Sequence, residues 1–164
     1  MPEEFVVEQR RDELDLRDDR HFYLIKFEPG HSSALIRGIP DPSENMDLDE
    51  EGDETPDDEH PGPVLDVFFA GVSRVCCWKD FPGAHLRQSS EAERAEIERR
   101  IGALRSSERV FLLEADSMES YVIAMRVYWG EFDIDPQASS PLVSEDRNYR
   151  RICRPLTGAV LFAD

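Results

Sequence analysis

The residues best able to do chemistry in this sequence are carboxylates, and they are concentrated in one segment. Residues 41–60 contain eleven Asp and Glu and no Lys or Arg. Part of this segment matches the spacing of a calcium-binding loop, in which oxygen ligands occupy positions one, three, five and twelve and glycine occupies position six. These positions are filled by Asp47, Asp49, Glu51, Asp58 and Gly52.

The departures from the calcium pattern outweigh the match. Glu54 stands where an apolar residue should pack, Asp58 replaces the bidentate glutamate, and Pro56 interrupts the loop. Prolines also flank both ends, where a calcium loop needs helices. We therefore expect no metal or other cofactor here, and interpret residues 41–63 as a solvated, mobile insertion or as a contact surface for a basic partner. The candidate partner-binding residues are Asp47, Asp49, Glu50, Glu51, Asp53, Glu54, Asp57, Asp58 and Glu59.

A second charged pattern lies near the C-terminal end of the sequence. If residues 144–155 form a helix, its arginines recur at helical spacing and make a positive stripe. The stripe consists of Arg147, Arg150, Arg151 and Arg154. It could bind phosphate or an acidic partner, receive the protein's own acidic segment, or be an ordinary solvated face.

Patterns typical of catalysis are incomplete, and the sequence favours binding over catalysis. GVSRV (residues 71–75) begins like a nucleophile elbow but has Val75 in place of the second glycine. The four histidines are not paired at metal-ligand spacing, and the adjacent Cys76 and Cys77 cannot chelate as a C-x-x-C pair does. Glu28 and His31 bracket a turn, where they could form an acid–base pair, bind a ligand or simply lie at the tip of a surface hairpin. We name no catalytic residue.

The strand pattern predicts two hairpins. Residues 21–27 and 33–39 are β-rich and joined at Pro29-Gly30, and residues 109–115 pair with residues 120–132. Residues 63–78 read as one long strand bent at Ala70-Gly71, and residues 158–164 as a last strand. In residues 120–132, alternation places five residues on one core face, namely Tyr121, Ile123, Met125, Val127 and Trp129.

One helix is strongly indicated. Ser90 and Glu93 form a capping box at its start, and Ile97, Ile101 and Leu104 share a stripe. With the shorter C-terminal helix from Ser144, the elements predict an α+β fold. It would have a mostly antiparallel sheet of about six strands, with a helix over about residues 90–105 packed on one face. We expect a single domain over residues 1–164.

Composition describes an acidic protein that we expect in the cytoplasm. The net charge is -17, although outside residues 41–60 only 25 acids face 19 bases. Such a charge disfavours binding to nucleic acid and to anionic membranes. Three cysteines provide no paired disulfide framework, and the first residues lack a secretory pattern.

Two functions from different classes follow from these observations. The first is a small binding protein that neutralises or inhibits a basic protein, as toxin-immunity proteins and nucleic-acid mimics do; the resemblance is to their acidic profile alone. The alternative is a small-molecule-binding or enzymatic domain whose site is assembled from residues distant in sequence. A preformed pocket with convergent polar groups would favour the alternative.

Overall fold

The computed structural model describes residues 7–41, 62–114, 117–143, 155–156 and 158–164. Strands account for 56% of these residues, and the described residues contain one α-helix. The strands are β1 (Val7–Arg10), β2 (Asp15–Glu28), β3 (Ser33–Ile39), β4 (Val64–Ala70), β5 (Arg74–Cys76), β6 (Asp80–Gln88), β7 (Arg109–Glu114), β8 (Ser117–Ala124), β9 (Arg126–Phe132) and β10 (Ala159–Ala163). The helix α1 spans Glu91–Ile101, and two short 3-10 helices span Pro29–His31 and Pro141–Val143.

All ten strands belong to one mixed sheet, so the predicted fold class is wrong. The strand order is β1-β10-β9-β4-β3-β2-β6-β7-β8-β5, with β1 parallel to β10 and the other pairs antiparallel. The prediction of about six antiparallel strands and two helices missed β6, in which Pro82 and Gly83 interrupt the apolar pattern. It missed the first part of β2 because Leu16 is the only apolar residue among residues 15–20. The C-terminal helix predicted from Ser144 falls on residues 144–154, outside the described residues.

The sheet closes on itself through two bent strands. Only residues 71–73 separate β4 from β5, and only Met125 separates β8 from β9. β4 pairs with β9, and β5 pairs with β8. The bent strand β4–β5 therefore runs beside the bent strand β8–β9 on both sides of the bend. Backbone bonds span the bends, with Met125 N donating to Ala70 O at 3.1 Å and Ser73 N to Ile123 O at 2.9 Å. The predicted bend at Ala70-Gly71 is confirmed.

The interior of the closed sheet is filled by apolar side chains, including Phe22, Phe69 and Phe111. A second cluster lies under α1, where Ile97 packs on Val110 and Tyr121. A third cluster, around Val64 and Phe132, packs Leu142 of the second 3-10 helix onto the outer face of the sheet. The core thus consists of a filled interior and two outer layers.

Several local predictions are confirmed. β2 and β3 form the expected antiparallel hairpin, and β7 pairs antiparallel with β8. The capping box of α1 is present, with the Ser90 N–H donating to Glu93 at 2.8 Å and the Glu93 N–H donating to Ser90 Oγ at 3.2 Å. The helix ends at Ile101 instead of about residue 105, because Gly102 adopts φ 101°.

Candidate functional site

The site residues predicted from sequence all lie outside the described residues. This holds for the nine acidic residues Asp47, Asp49, Glu50, Glu51, Asp53, Glu54, Asp57, Asp58 and Glu59. It holds equally for the stripe of Arg147, Arg150, Arg151 and Arg154. The structure therefore leaves their roles as predictions, and the described residues must be searched for other sites.

The smaller candidates from the sequence have structural explanations. Glu28 accepts from Lys26 at 2.8 Å, and this bond lowers the pKa of its carboxyl, which makes it a weaker base. Cys76 is exposed and donates to the Glu119 carbonyl, whereas Cys77 is half-buried and burial raises the pKa of its thiol. A raised thiol pKa disfavours the nucleophilic thiolate.

Two of the four histidines form cross-strand pairs with aspartates. His21 Nε2 lies 3.0 Å from Asp80 Oδ1, and His85 Nε2 lies 2.8 Å from Asp15 Oδ1, both between β2 and β6. Neither pair has a third side chain that completes a metal-binding group of His, Cys, Asp or Glu within the described ranges. We interpret both pairs as surface contacts between β2 and β6.

A concave pocket at one end of the sheet gathers three arginines. It has a volume of about 500 Å³ and lies where β4 and β10 end and where β7 and β9 begin. Its lining consists of Arg10, Ala70, Gly71, Ser107, Arg109, Met125, Arg126, Tyr128 and Asp164. We call it the arginine pocket.

The arginine pocket exists because a bulge breaks the alternation of the long strand β8–β9. Val122 and Ala124 point into the interior before the bulge, and Val127 and Trp129 do so after it. The two residues between them, Met125 and Arg126, therefore both face outward. The predicted common face of Tyr121, Ile123, Met125, Val127 and Trp129 is wrong for this reason: the first two lie under α1, Met125 is half exposed, and the last two are in the interior.

Gly71 provides the matching bend on the neighbouring strand. Its φ of 67° lies in the left-handed region, and a Cβ at this position would stand 2.7 Å from Met125 Cγ. Only glycine therefore lets the β4–β5 backbone pass this close to Met125. The two bends together shape the wall of the pocket.

Two arginines share one carboxylate at the pocket rim. Asp164 Oδ1 lies 2.8 Å from Arg10 Nη2, and Asp164 Oδ2 lies 3.3 Å from Arg126 Nη2. Asp164 Oδ1 is buried and has no aligned hydrogen bond to the described residues. Its contact with Arg10 is therefore an electrostatic attraction and not a well-aligned hydrogen bond. Asp164 is the sole acidic residue among the described residues that line the pocket.

The remaining contacts of Arg126 and Arg109 are with neutral groups. Arg126 Nη1 donates to the Tyr128 hydroxyl at 3.4 Å, and this bond and the Asp164 carboxylate raise the pKa of Arg126. The Arg126 guanidinium also lies 5.7 Å above the Phe162 ring. Arg109 Nη1 donates to the neutral Ser106 carbonyl at 3.3 Å. Among the described lining residues, three cations thus face one anion.

Comparisons with protein-family models, curated proteins and solved structures find no match to this chain. The arginine pocket is thus the strongest candidate site that the described residues offer. In that same part of the chain, no helix has the length and apolar character required to cross a membrane.

Sequence reasoning missed the arginine pocket because its cations come from separate strands. Arg10 ends β1, Arg109 begins β7 and Arg126 begins β9. None of the three belongs to a local motif, and single arginines at strand ends are common on protein surfaces. The bend signal at Gly71 was the only local feature of the sequence that pointed to this end of the sheet.

Proposed function

We propose that this protein binds an anionic ligand in the arginine pocket. One observation carries the proposal: Arg10, Arg109 and Arg126 all line one pocket whose described lining contains a single carboxylate. The rest of the molecule is strongly acidic, with a net charge of -17. A local excess of cations against that background is the expected signature of an anion site.

The chemistry of the pocket suits a carboxylate or a phosphate. Guanidinium groups donate in pairs to the two oxygens of such anions, and these charge-assisted bonds are stronger than neutral ones. Asp164 already occupies part of the space between Arg10 and Arg126, which shows that their spacing accepts a carboxylate. Arg109 and the Tyr128 hydroxyl would complete the contacts to an incoming anion.

The described lining favours binding over catalysis. A nucleophile needs an adjacent base, and the hydroxyl groups of Ser107 and Tyr128 have no histidine or unpaired carboxylate beside them in the pocket. The Tyr128 hydroxyl already accepts from Arg126. The pocket therefore resembles a recognition site more than a reaction centre.

Calorimetric titration with inorganic phosphate, at neutral pH and low ionic strength, tests this proposal. We expect Arg109→Gln and Arg126→Gln each to weaken phosphate binding by about tenfold or more, because each removes a charge-assisted hydrogen bond. Arg17→Gln is the matched control, since Arg17 is exposed on β2 outside the pocket. Equal losses in all three variants, or no phosphate binding by the wild type, would overturn the proposal.

A second candidate function is favoured by the acidic segment. Residues 41–60 concentrate eleven acids without a base, which is the charge pattern that attracts a basic protein and accelerates its association. In this reading the protein neutralises a basic partner through the segment. The arginine pocket would then serve a separate ligand.

The second candidate is tested by neutralising six acids, Asp47, Asp49, Glu50, Glu51, Asp53 and Glu54, to Asn or Gln. Partners captured from source lysate by native and neutralised protein are compared at low and high salt. A salt-sensitive partner lost on neutralisation supports the second candidate. Identical partner sets and identical salt dependence would refute it.

A further inference from the structure

We infer that the ligand of the arginine pocket is an anionic headgroup joined to an apolar group, such as an aryl or alkyl phosphate or carboxylate. The inference rests on the proposed function, because it assigns the ligand class of the same pocket. It comes from the apolar part of the lining beside the arginines, which binding of an anion alone would not require.

The apolar part of the lining lies at the two bends. The paired bends of β4–β5 and β8–β9 expose Ala70, Gly71 and Met125 beside the guanidinium groups. Met125 is 50% exposed, although the other residues of its sheet face, Tyr121 and Ile123, are buried under α1. A methionine left open next to three cations offers a flexible, polarisable surface for an apolar group.

The size of the pocket supports the same ligand class. A volume of about 500 Å³ leaves room for more than a bare anion in this open pocket. A bare phosphate or carboxylate held by the arginines would leave the space along Met125 to water. An apolar group attached to the headgroup would fill that space and gain the free energy of burial.

The charge balance argues against a polyanion. Three guanidinium groups facing the Asp164 carboxylate leave about two positive charges, enough for one phosphate or one to two carboxylates. Nucleic acids need a track of many phosphate contacts, and the net charge of -17 would repel them. The pocket therefore fits one anionic headgroup.

The experiment compares phenyl phosphate with inorganic phosphate by calorimetric titration. For the wild type we expect phenyl phosphate to bind at least about tenfold more tightly, because a phenyl ring is removed from water. Met125→Ser should reduce this ratio toward one, while Met125→Leu should preserve it. Ile25→Ser, which removes a 46% exposed apolar side chain from β2 outside the pocket, should leave the ratio unchanged.

The outcomes separate the inference from the proposed function. If both ligands bind with equal affinity, or if Met125→Ser keeps the full ratio, the apolar assignment is wrong while anion binding stands. If neither ligand binds, the proposed function itself fails. Thermal unfolding of each variant confirms that a changed ratio reflects the pocket and not a lost fold.

Discussion

At the residue scale, the most heavily buried charges among the described residues are structural. Arg37 and Asp66 face each other on β3 and β4, with side chains 1% and 0% exposed. Arg37 donates twice to Asp66, at 2.6 and 2.8 Å, and its remaining donors reach the carbonyls of Pro136 and Ala138. The pair therefore fastens the segment after β9 to the outer face of the sheet.

Breaking this buried pair should be costly. Asp66→Asn leaves the Arg37 charge without a carboxylate in a site with little solvent, so we expect a loss of about 3 to 5 kcal/mol in the free energy of unfolding. Urea denaturation measures the loss. Arg100→Gln is the control: it removes an exposed helix contact to Glu96, at 3.0 Å, and should cost less than about 0.5 kcal/mol. Similar costs for the two variants would contradict the structural role of the pair.

The arginine pocket shows the opposite use of charge. Arg10, Arg109 and Arg126 line a pocket open to solvent, so they remain available to a ligand, whereas Arg37 directs four N–H donors at protein groups. This difference in pairing, more than residue type, separates a binding arginine from a structural one.

At the scale of elements, the start of α1 couples helix stability to pH. Glu93 accepts two bonds from Arg87, at 2.8 and 2.7 Å, and one from the Ser90 backbone. These contacts, with that of Arg87 the largest, lower the pKa of Glu93 to about 2 from an ordinary value of 4.5. Because the folded pKa is depressed, the stabilisation is fully present above about pH 4.5 and disappears as pH falls toward 2.

Glu93→Gln should expose this coupling. With the side chain 24% exposed, solvent screening reduces the effect, and we expect a loss of about 1 to 2 kcal/mol at pH 7. The difference from wild type should shrink between pH 4.5 and pH 3. Urea unfolding at several pH values measures it, and a difference that stays constant over that range would disprove the coupling.

The bend at Gly71 is a second feature that joins neighbouring elements. Gly71→Ala meets both the left-handed φ of 67° and the Met125 side chain, so we expect a loss of about 2 to 4 kcal/mol. Gly158→Ala is the matched control, because Gly158 has φ 78° and open space around it. Its substitution therefore costs only the strain of the left-handed backbone conformation. Thermal and urea unfolding compare the two. Equal losses would show that contact with Met125 is unimportant.

The elements themselves were partly readable from sequence. α1 and the β2–β3 hairpin carried capping and turn residues, and both were predicted correctly. β6 and the start of β2 were missed because they lack apolar alternation; β6 is held between β2 and β7, and the start of β2 is held by its pairing with β6. The core face of β8–β9 was misassigned because a bulge at Met125 leaves no mark in the residue pattern.

At the scale of the whole molecule, the two charged regions come from different parts of the chain. The acidic segment lies in the sequence between β3 and β4, and its residues 42–60 are outside the described residues. The arginine pocket includes Ala70, at the end of β4. Removing the acidic segment therefore changes the net charge without removing a described residue of the pocket.

Replacing residues 41–61 with a short Gly-Ser linker tests this separation. We expect the melting temperature to change by only a few degrees, because loop-closure entropy varies slowly with length. Phosphate affinity should rise at low ionic strength, since eleven acids are removed, and should change little at high salt. A collapse of cooperative unfolding, or a loss of phosphate binding, would show that the segment is part of the fold or of the pocket.

The sequence by itself determined the local features: the acidic concentration, the helix with its capping box, the first hairpin and the bend at Gly71. Each depends on residues that are neighbours in the chain, so spacing and turn chemistry suffice to predict it. Closure of the sheet, the order of its ten strands and the convergence of Arg10, Arg109 and Arg126 were decided by the tertiary structure. Register and strand order depend on contacts between distant segments, and a one-residue bulge is enough to turn a core face into the wall of a pocket.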